Sequence, residues 1–137
     1  MDKLNVYIAG WYDRREELLG LSRQLEQMGY NICSGWLTRR QDAFDMSYEA
    51  FNTYAMEDIA DIDRADIFVI VSNEEGVLGG GGRHWELGYI WSQSFLRPVD
   101  IASVGRIEHV FYCLPEVHQY ETWEDFLQWA QNRDEWV

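Results

Sequence analysis

The sequence predicts an α/β domain, a three-layer sandwich whose mainly parallel sheet is covered by helices on both faces. Three observations carry this. Short runs rich in Val and Ile, NVYIA at Asn5–Ala9 and DIFVIVS at Asp66–Ser72, have the length of strands. Between them lie longer segments whose apolar residues recur three and four apart, the period of a helix. Strand and helix alternate, an order that closes into right-handed βαβ units. The 137 residues suit one domain with one core, residues 1–137, with no linker or internal repeat.

The elements follow in chain order. Asn5–Ala9 is the first strand and ends at Gly10. Arg14–Met28 is a helix, because Leu18, Leu21, Leu25 and Met28 form one apolar face; Gly29 stands where a C-terminal cap glycine belongs. Tyr30–Ser34 is a second strand, and Gly35–Asp45 a polar loop holding Trp36, Arg39 and Arg40. Ser47 is placed to cap a long helix running to about Ile62. Asp66–Ser72 is the most apolar run and so the central, doubly covered strand. After four consecutive glycines comes a helix over Arg83–Ser94. Pro98–Ser103 and His109–Leu114 are expected as short strands. Thr122 with Asp125 opens a last helix, Trp123–Asn132.

Composition narrows the functional classes. A hydrophobic content of 47% and an aromatic content of 15% belong to an ordered globular chain. The net charge of -13 disfavours nucleic acid polymers, whose affinity comes mainly from phosphate contacts to Lys and Arg. Lys3 is the sole lysine and every other basic residue is Arg, the better side chain for bidentate recognition of a small anion. No apolar run is long enough to span a bilayer, and the first residues lack the features of a signal peptide, so no membrane partner is expected and the cytoplasm is the expected location. Cys33 and Cys113 lie in apolar segments and are expected as buried free thiols. His84 is near Glu86, but no further ligand has metal-like spacing, so no metal is expected.

In sheets of this kind a ligand sits beyond the carboxyl ends of the strands. Three stretches meet that edge: Ala9–Arg15, Gly35–Asp45 and Ser72–Glu86. Glu86 falls in the first turn of its helix, where free N–H groups and the helix dipole favour an ionised carboxylate. A fixed carboxylate suits attack on, or stabilisation of, an anomeric carbon. A first-turn acid also serves simply to support a helix start. Asp58 lies at the margin of the apolar face of its helix, within reach of the site, whereas Asp61 and Asp63 belong to a solvated face. Tyr7 reads as a core aromatic when taken alone. Gly10, Arg14 and Arg15 border a helix start, a place where anions bind.

Three segments together resemble a known family. VYIAG (Val6–Gly10), MEDIADIDRADIFVIV (Met56–Val71) and GGGGRHWELGYI (Gly79–Ile90) are similar to the nucleoside 2-deoxyribosyltransferases and the related 2'-deoxynucleoside 5'-phosphate N-hydrolases, over about Val6 to Pro98. The resemblance implies a flavodoxin-like fold and cleavage of the N-glycosidic bond of a 2'-deoxynucleoside or its 5'-monophosphate. It implies Glu86 as nucleophile, Asp58 as the residue that assists the base or orients the sugar, and Tyr7 as support for the nucleophile. It implies phosphate binding by the loop at Gly80, Gly81, Gly82 and Arg83. The serine usual in that loop is absent here, so Arg14, Arg15 or Arg83 would substitute. It implies no cofactor, and a homodimer or larger homo-oligomer. A non-catalytic nucleotide-binding module on the same fold is the alternative.

Overall fold

The computed structural model describes residues 3–39 and 47–133. The strands are β1 (Asn5–Ala9), β2 (Asn31–Ile32), β3 (Ile67–Val71), β4 (Asp100–Val104) and β5 (Val117–Tyr120). They form one sheet in the order β2-β1-β3-β4-β5, with every pairing parallel. The helices are α1 (Arg15–Gln27), α2 (Tyr48–Asp63), α3 (Gly82–Gln93) and α4 (Trp123–Asn132). Helices α1 and α4 share one face: Trp123 Nε1 donates to Gln24 at 2.7 Å and the Tyr30 hydroxyl donates to the Ala130 carbonyl at 2.5 Å. Helices α2 and α3 pack together, with α3 against β1 and β3.

Each element has a local cause. β3 is buried at all five positions, which explains an unbroken apolar run in place of an alternating one. Leu18 and Leu25 of α1 are fully buried, with Leu21 and Met28 packed at the edge of the same core. Gly29 ends α1 at φ +98, a conformation that side chains resist. The Ser47 hydroxyl accepts from Ala50 N and starts α2; Thr122 accepts from Asp125 N and starts α4.

Three expectations are corrected. His109–Leu114 is not a strand: Val110–Cys113 forms a 3-10 turn, and the fifth strand is Val117–Tyr120. Val, Phe and Tyr favour strands intrinsically, but in this stretch only Tyr112 finds a buried position, and packing outweighs propensity. β5 is an edge strand with two exposed polar residues, His118 and Gln119, so its apolar signal is weak. Cys113 is exposed; only Cys33 is buried, and burial pushes its thiol up to about 12. The expected second strand contracts to Asn31–Ile32, although Cys33 N still donates to the Val6 carbonyl at 2.9 Å. The polar loop that follows carries an inward turn, Gly35–Thr38, which buries Trp36 and Leu37; Arg40 to Asp45 lie outside the described residues.

The chain leaves β1 toward β2 through α1 and leaves β3 toward β4 through α3. Strand order therefore reverses between β1 and β3, and a crevice opens beyond their carboxyl ends. Among the described residues no helix is long and apolar enough to cross a membrane.

Candidate active site

A cavity of about 640 Å³ occupies that crevice. Gly10, Trp11 and Tyr12 line it from the end of β1, and Trp36 and Arg39 from the segment after β2. Phe51 and Asp58 line it from α2, and Gly80, Gly82, Arg83 and Glu86 from the loop and helix after β3. The three sequence stretches expected at the sheet edge all contribute, and α2 supplies a fourth wall.

Tyr7 and Glu86 meet below this cavity. The Tyr7 hydroxyl donates a short hydrogen bond to Glu86 Oε2. The Tyr7 ring is fully buried and stacks on Phe68 with centroids 5.6 Å apart, so the residue is a core aromatic whose polar end reaches Glu86. Burial, then the negative charges of Glu86 and Asp58, hold the Tyr7 hydroxyl far above its ordinary pKa of 10.0, and it stays a donor. Glu86 departs from the expectation of an ionised acid. Burial raises it to about 8, the Tyr7 hydrogen bond opposing this, Asp58 adding to it and Arg39 again opposing. The helix start does not offset the loss of water around the carboxylate.

Asp58 and Arg39 form the opposite wall. Arg39 Nη2 donates to Asp58 Oδ1 at 2.7 Å and pairs with Glu57 at 3.2 Å. Its guanidinium lies over the Tyr54 ring, 4.8 Å from the centroid. Its backbone carbonyl accepts from the Tyr12 hydroxyl at 2.9 Å. Burial raises the Asp58 carboxyl and the bond to Arg39 pulls it back, leaving it above its ordinary value. Asp61 is not solvated as expected: its Oδ2 accepts from Gly35 N at 3.0 Å and helps fix the turn that carries Trp36. Trp36 Nε1 in turn donates to the Ile8 carbonyl at 2.8 Å, tying that turn to β1.

The glycine loop is shaped by its neighbours. Gly80 has φ +69, and a Cβ there would lie 2.7 Å from Trp11 Cδ1 and 2.9 Å from Trp11 Cα. Glycine is required both by conformation and by contact. At Gly81 and Gly82 an added Cβ would meet open space. Arg83 is turned inward. Its Nη1 donates to the Gly79 and Gly80 carbonyls, and its Nη2 pairs with Glu108 at 2.6 Å, with both side chains nearly inaccessible. Glu108 also accepts from the Tyr112 hydroxyl at 3.2 Å and from Asn73 N at 3.3 Å. Burial works against ionised Glu108, the Arg83 bond and charge overcome it, and the carboxyl sits below its ordinary value.

The structure brings Asp58, Glu86, Gly10, Gly80, Gly82 and Arg83 around one cavity, Tyr7 joins them through its hydrogen bond to Glu86, and Gly81 joins Gly80 to Gly82 at the start of α3. Arg14 is committed elsewhere, to Glu17 at 3.0 Å and to the Ser72 carbonyl at 2.6 Å. Arg15 lies outside the cavity lining, with its guanidinium 4.6 Å from the centroid of the Tyr12 ring. The sequence marks Arg39 only as a residue of a polar loop, and Glu108 and Asn73 not at all. Their contacts join residues 19 to 35 positions apart, and no local motif marks such pairs. No group of His, Cys, Asp and Glu among the described residues has the arrangement to hold a metal ion. A separate, apolar groove of about 520 Å³ runs along α3, lined by Trp85, Tyr89, Trp91, Phe111 and Leu114 among others.

No family model and no curated protein matches the chain. Solved structures do. A conserved protein from Enterococcus faecalis V583 is similar at TM-score 0.69 and 13% identity, over 96% of this chain and 99% of that one. A 2-deoxyribosyltransferase from the psychrotolerant bacterium Bacillus psychrosaccharolyticus is similar at TM-score 0.63 and 23% identity, over 90% of each chain. A CMP N-glycosidase from Clostridium botulinum is similar at TM-score 0.53 and 17% identity, over 97% of this chain and 99% of that one. These likenesses establish the fold. It is the flavodoxin-like α/β sandwich with a single five-stranded parallel sheet, the architecture that the sequence resemblance implies.

Proposed function

We propose that this chain cleaves the N-glycosidic bond of a 2'-deoxynucleoside or 2'-deoxynucleoside 5'-monophosphate, with Glu86 as the nucleophile. The observation that carries the reading is the hydrogen bond from Tyr7 to Glu86 below the cavity, with Asp58 held by Arg39 on the facing wall. That two of the similar structures are a 2-deoxyribosyltransferase and an N-glycosidase supports it.

In this reading the ionised form of Glu86 attacks C1' of the sugar. A C–O bond forms as the C1'–N bond breaks, and the electron pair of that bond leaves with the base, which takes up a proton. Tyr7 holds one carboxylate oxygen and lowers the proton affinity of the group, so it favours the nucleophilic form. Asp58, fixed by Arg39, orients the sugar or assists the departing base. The glycosyl group then passes from Glu86 to water or to a second base. Gly10 and Gly80–Gly82 let the substrate approach the backbone, and Arg14, Arg15 and Arg83 act on substrate only by exchanging their present partners. The aromatic groove along α3, with Trp85 and Phe111 exposed, supports a homodimer or larger homo-oligomer.

The test is chromatography after incubating the protein with a panel of deoxynucleosides and their 5'-monophosphates, with and without a second free base. Free base released without an acceptor means hydrolysis; a new nucleoside formed only with the acceptor means transfer. The second reading, a nucleotide-binding module without turnover, is favoured by one observation: a carboxyl with a pKa of about 8 is mostly protonated at neutral pH and then no nucleophile. Saturable binding with no product at pH 7 and at pH 9 decides for it.

A further inference from the structure

We infer that Arg39 is a positioning residue of this site, which aims Asp58 into the cavity and balances the charge that appears there when Glu86 ionises. The inference rests on the reading of Glu86 given above.

The geometry of Arg39 is built from four sides. The turn that delivers it is pinned to β1 by the Trp36–Ile8 bond at 2.8 Å. Its carbonyl is held by Tyr12 at 2.9 Å, and its guanidinium rests over Tyr54. Its Nη2 bridges Asp58 and Glu57, and the side chain is only 10% exposed. A long, flexible side chain so confined keeps its charge in one place, which is what an electrostatic role demands.

The charges around it give that place meaning. Facing Glu86 are Tyr7 from β1, Asp58 from α2 and Arg39 itself; Glu57 and Asp61 stand behind Asp58 on α2. Every ionisable neighbour except Arg39 therefore opposes a negative charge on Glu86 or is neutral. Arg83 also lines the cavity, but its guanidinium is engaged by Glu108 and two loop carbonyls. Arg39 is thus the cation, among the described lining residues, whose charge lowers the proton affinity of Glu86.

The experiment compares wild type with Arg39→Gln, Arg39→Lys and Asp58→Asn. The first readout is kcat/KM against pH for base release from the best substrate of the deoxynucleoside panel. The second is the titration midpoint of the Glu86 carboxyl, followed by carbon NMR on protein labelled at glutamate and assigned with Glu86→Gln. In Arg39→Gln both midpoints are expected to rise by about one unit, with kcat/KM at pH 7 about tenfold lower. Arg39→Lys is expected to restore the midpoint in large part. Asp58→Asn, which removes a negative neighbour, is expected to move the Glu86 midpoint down. An unchanged midpoint in Arg39→Gln, with activity reduced by one factor at every pH, overturns the inference. Should Arg39→Gln not fold, an unchanged Glu86 midpoint in Asp58→Asn, which removes a negative neighbour and frees the Arg39 charge, overturns it equally. Absence of base release from wild type overturns the proposed reaction alone, and the NMR midpoints then decide the role of Arg39 by themselves.

Discussion

Tyr7 of β1 and Glu86 of α3 are 79 positions apart in sequence and share one short hydrogen bond at the point where the strand order reverses. Neither residue could take up this relationship within its own βαβ unit. The first prediction concerns the acid. Glu86→Gln keeps the size of the side chain and removes the proposed nucleophile, and is expected to lower base release by about a thousandfold or more while the far-ultraviolet circular dichroism stays that of wild type. Activity within tenfold of wild type would remove Glu86 from the chemistry.

Tyr7→Phe deletes only the hydroxyl. The ring keeps its stack on Phe68, so a folded protein is expected. Glu86 loses the bond that opposes its raised pKa, and its ascending pH–rate limb is expected to move to higher pH. The measurement is kcat/KM from pH 6 to about 10 for both proteins. A limb that stays in place means that the hydroxyl does not tune the acid.

Stability carries the same signature with a definite sign. The folded pKa of Glu86, about 8, lies above its ordinary 4.5, so the native state binds the proton more tightly than the unfolded chain does. The contribution of this group is complete below about pH 4.5 and is lost as pH rises through about 8. It amounts to a few kcal/mol at most, because Glu86 keeps some exposure to the cavity. Subtracting the Tm–pH curve of Glu86→Gln from that of wild type is expected to show a wild-type deficit growing across this window. Parallel curves would contradict it.

Glu108→Ala leaves the Arg83 guanidinium buried without its carboxylate partner. Loss of about 3 kcal/mol or more is expected in urea unfolding, since an uncompensated buried charge costs more than its pair contributes. A loss below about 1 kcal/mol would show that Arg83 reaches solvent in the variant.

Gly80→Ala and Gly81→Ala form a matched pair. At Gly80 the new methyl group meets Trp11 and an unfavourable φ, and a loss of more than about 1 kcal/mol with reduced activity is expected. At Gly81 there is open space and helical backbone, and the change is expected to stay within about 0.5 kcal/mol or to stabilise. Equal effects at the two sites would mean that the loop is held by something other than its contact with Trp11.

How far the sequence reaches can be judged residue by residue. The central strand, the two long helices and the caps at Ser47, Gly29 and Thr122 were legible, because each rests on a local pattern of burial or hydrogen bonding. β5 was missed because an edge strand buries little and Val110–Cys113 imitates one. In the site, the mounting of Glu86 was legible but its protonation was not. The helix start is written in neighbouring residues, whereas the burial that outweighs it comes from the assembled cavity. The resemblance implies phosphate binding by the loop that holds Arg83, with Arg14, Arg15 or Arg83 as the cation, whereas the inward turn of Arg83 depends on Glu108, which lies 25 residues further on.

The reversal of strand order between β1 and β3 also governs how the protein fails. Tyr7 reaches Glu86 only while β1 stays paired with the middle strand β3, and that pairing runs from Val6 with Ile67 to Ala9 with Ile70. The site is therefore not a surface accessory that can fray while the body of the molecule persists. The chemistry proposed for Glu86 would be switched off by the same event that opens the centre of the sheet, so under denaturant base release and tertiary structure are expected to be lost at one concentration.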